Sequence, residues 1–134
     1  MIARAAVYGI LGLIAEILWT GLGSLLAGDR SLRSHTYLWM FPIYSLAVFL
    51  EPIHDRMRNH FWFFRGLIYM CLFFAGEYIT GLLLKLLIGL CPWHYSSPLA
   101  VKGLIRLDYG PAWFAAGLIF EKVHDFLDLR IFSK

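Results

Sequence analysis

Apolar residues fall in four long stretches separated by short polar turns. A helix crossing the hydrocarbon of a bilayer needs about 20 mostly apolar residues. Stretches near that length run over Ala3–Ala27, Tyr37–Met57, Arg65–Leu90 and Pro111–Leu129, which predicts four membrane spans. Pro42 lies near the start of the second, and Pro52 inside it predicts a kink. Pro111 opens the fourth close to the first helical position, where its missing N–H costs least. The first stretch outlasts the apolar core of a cleaved signal and lacks a small-residue cleavage site, so it reads as a span. Between spans lie a polar turn (Gly28–Thr36), a basic and aromatic turn (Arg58–Phe64) and a longer connector (Cys91–Gly110). The connector sets Leu99, Val101, Leu104, Ile105 and Leu107 against Lys102, Arg106 and Asp108. It is too short to span and amphipathic enough to lie in the interface or re-enter. No internal repeat of useful strength is visible. The expected fold is an all-α integral membrane four-helix bundle, one domain over residues 1–134, with that interfacial or re-entrant segment between helices three and four.

Composition agrees. Hydrophobic residues make up 60% of the chain and charged residues 16%, against roughly 45–50% and 25% in soluble domains; the mean hydropathy is +0.66. A disordered chain, a disulfide-stapled secreted fragment and an ordinary soluble enzyme are excluded. A net charge of +3 without a basic stripe argues against nucleic acid and leaves membrane lipid as the expected surrounding. Trp and Tyr residues gather near span ends, as in an aromatic belt. Cys71 and Cys91 would sit about 30 Å apart on one helix, too far for a disulfide. There is no phosphate-binding Walker A loop, so no nucleotide is expected, and no G-x-S-x-G nucleophile elbow.

The acids are distributed unevenly. Every aspartate sits in a turn or near a span end, whereas Glu16, Glu51, Glu77 and Glu121 each fall inside a different span. An acid at the centre of a membrane helix costs at least about 2.5–3.5 kcal/mol and usually marks a functional site. Two of the four begin a Glu-x-x-His motif, Glu51 with His54 and Glu121 with His124. Positions i and i+3 share a helix face. The chain order Glu, Glu-x-x-His, Glu, Glu-x-x-His is the ligand order of carboxylate-bridged di-iron bundles. Glu16, Glu51, His54, Glu77, Glu121 and His124 are therefore candidate ligands for two divalent ions, iron being the first expectation. Four carboxylates would balance the charge of both. In antiparallel hairpins Glu16 levels with Glu51 and Glu77 with Glu121. Glu77 misses the level of Glu51 by about 10 Å if the second turn centres near residue 60.

Such a site would serve a membrane enzyme working on a lipid-soluble substrate. Two other readings stay open. The glutamates could line an ion or solute path in a permease-like component, which as a four-span chain would favour a homo-oligomer or a membrane partner subunit. Alternatively, a structural or regulatory subunit could hold them in a polar core, protonated or paired with Arg4, Arg58, Lys85 or Lys122.

Several segments together resemble a known family. They are Trp39 with Pro42-Ile43-Tyr44, Glu77-Tyr78-x-Thr80-Gly81, Cys91-Pro92-Trp93-x-Tyr95-Ser96, Gly103-Leu104-Ile105-x-Leu107-Asp108-Tyr109, and Trp113-Phe114 ahead of Glu121. The chain is similar to the Putative ABC-transporter type IV family, which includes the transmembrane-protein-229 group. The resemblance covers nearly the whole chain and implies a small multi-pass membrane protein; it carries no activity or catalytic residue.

Four spans put both termini and the second turn on one side with Arg4, Arg56, Arg58, Arg65, Arg130 and Lys134. Arg30, Arg33, Lys102 and Arg106 fall on the other. The basic excess places the termini in the cytoplasm. With Cys71 and Cys91 replaced by Ser, Ser34→Cys should react with an impermeant thiol reagent in intact cells and Ser133→Cys should not. Labelling of Ser133→Cys alone would reverse the orientation.

Overall fold

The computed structural model describes residues 1–133; Lys134, counted above with the cytoplasmic basic residues, lies outside them. The chain is mostly helical and divides into two compact units, Met1–Glu51 and the remainder.

Two helices are long and apolar enough to cross a membrane, α1 (Ile2–Leu26) in the first unit and α4 (Trp62–Ile88) in the second. Just 11% of the most apolar stretch of α1 and 22% of that of α4 is buried, whereas a soluble core helix would be mostly covered. Ile10, Leu18 and Leu22 on α1, and Leu86 and Leu87 on α4, are exposed.

The second apolar stretch is not one continuous helix. It breaks into α2 (Met40–Ser45), a 3₁₀ segment (Leu46–Leu50) and α3 (Glu51–Met57). Pro52 is the physical reason. It has no N–H to give to the carbonyl of Val48, and that carbonyl accepts from the Glu51 N–H in the tighter 3₁₀ pattern instead. Within the first unit α2 packs on α1 at two glycines. A Cβ at Gly12 would overlap the Tyr44 ring, and one at Gly9 would press on Phe41 and Ser45. The turn folds back on the end of α1, where Thr20 Oγ1 donates to the His35 carbonyl at 3.0 Å. Asp29 accepts from the Ser31 hydroxyl at 2.6 Å and its N–H at 2.9 Å. These bonds hold the Asp29 carboxyl below its ordinary range.

In the second unit α4 ends at Gly89, whose φ of 80° supplies the left-handed cap. The connector folds as a hairpin. Strands β1 (Ala100–Val101) and β2 (Ile105–Arg106) pair antiparallel, Ala100 opposite Arg106 and Val101 opposite Ile105. Lys102 and Gly103 turn the chain with φ of 52° and 70°. The hairpin is fastened to α4 by Leu104, Trp93 and Cys91, which crowd Gly81, and Trp93 Nε1 donates to the Leu104 carbonyl at 2.9 Å. Arg106 holds both oxygens of Asp108 at 2.9 Å, which keeps that carboxyl below its ordinary range. The last helix, α5 (Gly110–Phe126), has Pro111 in its first turn and continues into a π-helical turn, Leu127–Ile131. It packs on α4 across Gly66, beneath Phe114, and Gly117, beneath Tyr69.

Close approach at Gly117 is therefore essential to the α4–α5 pair. Gly117→Ala should lower stability by about 1–3 kcal/mol, the usual cost of overpacking. Gly76→Ala, whose Cβ would meet nothing within 4 Å, should leave stability unchanged or raise it. Thermal unfolding in lipid or detergent compares the two.

Candidate functional site

In each unit one glutamate, half-buried Glu51 or buried Glu121, meets an arginine and a tyrosine four residues apart on a long helix. That spacing puts both side chains on one helix face. In the first unit Arg4 and Tyr8 of α1 converge on Glu51 at the start of α3. Arg4 Nε donates to its two oxygens at 2.8 and 3.0 Å, and Tyr8 donates at 2.6 Å. In the second, Arg65 and Tyr69 of α4 converge on Glu121 of α5. Arg65 Nε and NH2 donate to separate oxygens at 2.7 and 3.1 Å, and Tyr69 donates at 3.0 Å. Forked guanidinium pairs of this kind are strong and fix orientation. Glu16 and Glu77 each receive a tyrosine hydroxyl at 2.6 Å, from Tyr44 and Tyr95 respectively.

A histidine cluster lies beside Glu121. His54 of α3 is buried, with Nδ1 2.9 Å from the Tyr69 hydroxyl and 3.2 Å from Glu121 Oε1. The Tyr69 proton goes to the carboxylate, so hydrogen-bond accounting places the imidazole proton of His54 on Nδ1. Its Nε2 is buried, makes no hydrogen bond among the described residues, and stands 3.7 Å from Asp125 Oδ1. The ring of His124 meets that of His54 edge-on at 5.5 Å. His124 Nε2 lies 3.1 Å from Asp55 and 3.6 Å from Asp128. Each histidine thus faces the aspartate that follows the other in sequence. Arg58 binds both of those aspartates, at 3.0 Å to Asp55 and 2.8 Å to Asp125.

The six residues expected as metal ligands are accordingly engaged with other partners. His54, Glu121 and His124 gather in one cluster. Glu77 lies about 12 Å farther along α4 than Tyr69, bound to Tyr95 beneath the hairpin. In the first unit Glu16 and Glu51 hold different partners, Tyr44 and the Arg4–Tyr8 pair. Among the described residues no group of three or more His, Cys, Asp or Glu stands where it could hold a metal ion. The geometry lends no support to a dinuclear centre. Arginines stand opposite two of the four glutamates, Glu51 and Glu121, and tyrosine hydroxyls opposite the other two.

The family model described as Putative ABC-transporter type IV matches residues 5–133. The chain belongs to this family. Family and long apolar helices together mark it as a membrane protein related by name to transport. No solved structure matches it.

Sequence reasoning named Arg4 as a partner for a glutamate but counted Arg65, at the start of the third span, only among the basic residues that set orientation, and gave Tyr8, Tyr69, Tyr44 and Tyr95 no part in holding the glutamates. The signal was present: an Arg four residues before a Tyr on one face of an apolar helix, twice.

The Arg65–Glu121 pair can be tested directly. Arg65→Met strands a carboxylate whose side chain is 6% exposed and should cost on the order of 3 kcal/mol. Adding Glu121→Leu should recover most of the loss, because an apolar pair avoids desolvating both charges. Thermal unfolding of the two variants measures the difference.

Proposed function

We propose that the chain is the membrane-embedded component of a transport system, with its buried Glu and His residues serving as an ion path. The observation that carries this reading is the line from Glu121 through His54 to Asp125. Glu121 is buried, His54 touches it through Nδ1 and turns a bare Nε2 toward Asp125, and the Asp125 side chain is 34% exposed. Through His124 the same cluster reaches Asp55, 53% exposed. Intramembrane ionisable groups in contact with one another are the usual construction of ion and proton relays. The continuity of this line, from a buried carboxylate through an imidazole to an exposed carboxylate, favours a path over a fastening.

The chain carries no Walker A loop, so a nucleotide-driven system would draw its energy from a partner subunit. A homo-oligomer or such a partner would also enlarge the thin wall that four helices provide. In this reading the chain is multi-pass with both termini cytoplasmic.

The test is flux across proteoliposomes made with the purified full chain. His54→Gln should reduce the wild-type rate at least tenfold while leaving the Arg65–Glu121–Tyr69 bonds, and hence most of the thermal stability, in place. A wild-type chain that moves no charge, alone or with its co-purifying partners, or a His54→Gln chain at full rate, would remove this reading.

A further inference from the structure

Charged groups from three elements of the second unit surround the imidazoles of His54 and His124, whose side chains are each 3% exposed. His54 is faced on its Nδ1 side by Tyr69 and Glu121, at 2.9 and 3.2 Å. On its Nε2 side it is faced by Asp125, at 3.7 Å. His124 Nε2 is faced by Asp55 at 3.1 Å and by Asp128, from the π-helical turn, at 3.6 Å. Two arginines complete the surroundings. Arg65 of α4 binds Glu121, and Arg58 of α3 binds Asp55 and Asp125 together.

These charges do not balance while both imidazoles are neutral. Arg65 offsets Glu121. Arg58 is a single guanidinium set between two carboxylates, so at least one negative charge is left beside the histidines. His54 has a place for one particular cation. Its Nε2 is buried, has no hydrogen-bond partner among the described residues, and faces the Asp125 carboxylate from beyond bonding distance. A proton added there turns a bare acceptor into a charged donor aimed at a carboxylate, the stronger kind of hydrogen bond. A metal ion does not suit the same atoms. It takes several ligands about 2.0–2.6 Å away, and among the described residues no three acidic, histidine or cysteine side chains stand so.

We infer that the His54–His124 cluster is a proton-binding site, entered from solvent past Asp125 at His54 Nε2, and that the proton is the ion of the path. The identity of the ion rests on the transport reading above; the binding of the proton stands without it. Asp125, 34% exposed, connects the buried nitrogen to water. Loading breaks an O–H bond of hydronium or of protonated Asp125 and forms the Nε2–H bond from the ring nitrogen's lone pair. The imidazolium then carries a proton on each nitrogen. It can return the proton at Nε2 or give the one at Nδ1 to Glu121. In the second case the N–H bond breaks, its electron pair stays on nitrogen, and an O–H bond forms on the carboxylate. That is the step by which the line would carry an ion onward.

The experiment titrates the full chain in lipid bilayers between about pH 8 and pH 5. Nuclear magnetic resonance of nitrogen-labelled histidine rings separates imidazole from imidazolium, and the His54 signal is the one missing from His54→Gln. His54 should become cationic across this range. At the pH where wild-type His54 is half-loaded, Asp125→Asn should fall well below half and Arg58→Gln should rise well above it. The first removes a carboxylate and the second a guanidinium. Arg58→Lys keeps the charge and should load like the wild type. A His54 that stays neutral, or loading that Asp125→Asn and Arg58→Gln leave in place, would overturn the site. So would Arg58→Lys behaving like Arg58→Gln, which would tie loading to packing rather than to charge. In liposomes a proton gradient should drive flux, and a Na⁺ or K⁺ gradient at fixed pH should drive none. Flux of Na⁺ or K⁺ would overturn the choice of ion. A loaded His54 in a chain that moves no protons would reject the transport reading and keep the binding site.

Discussion

A carboxylate between apolar helices must be neutralised where it stands, and most of this structure can be traced to that requirement. An ionised oxygen buried without partners costs several kcal/mol. The chain meets the demand with forked arginines and tyrosine hydroxyls borne on the two long helices. These partners act at short range and in fixed directions, so they set the position of α1 against the start of α3 and of α4 against α5. Within each unit these polar groups fix how the paired segments meet.

Close packing makes those bonds reachable. Arginine and tyrosine can meet a glutamate on the neighbouring helix when the axes approach nearer than ordinary side chains permit. The Tyr69 ring lies across Gly117 and the Tyr44 ring across Gly12, and small residues of this kind are the common device for close approach in membranes. Packing and electrostatics are coupled here. The ring that fills the glycine notch also carries the hydroxyl that reaches a carboxylate, Glu121 for Tyr69 and Glu16 for Tyr44.

Much of the helical layout could be read from apolar run length. The bounds of α1 and α4 fall within three residues of those expected. The broken second helix was announced by Pro52, although the 3₁₀ segment ahead of it depends on which N–H takes the Val48 carbonyl, which hydropathy does not encode. The hairpin was missed because its strands are two residues each, too short for alternation to register. Each of the four glutamates singled out accepts a tyrosine hydroxyl, and His54 and His124 do meet. The metal expectation counted negative charge correctly and looked to ions for its balance. Arg4 was weighed as a partner only in the structural alternative, and Arg65, just inside α4, was not weighed as one. Height along α4 decided the rest. The turn midpoints set Glu77 level with Glu121, yet Glu121 takes Arg65 and Tyr69, about two to three turns back along α4, while Glu77 takes Tyr95.

Arg58 lies across the histidine pair, bound to Asp55 and Asp125. His124 Nε2 faces Asp55 and Asp128, at 3.1 and 3.6 Å, whereas His54 Nε2 faces Asp125 at 3.7 Å. Two side chains of one kind, touching edge to edge, are thus made chemically unlike by the carboxylates around them.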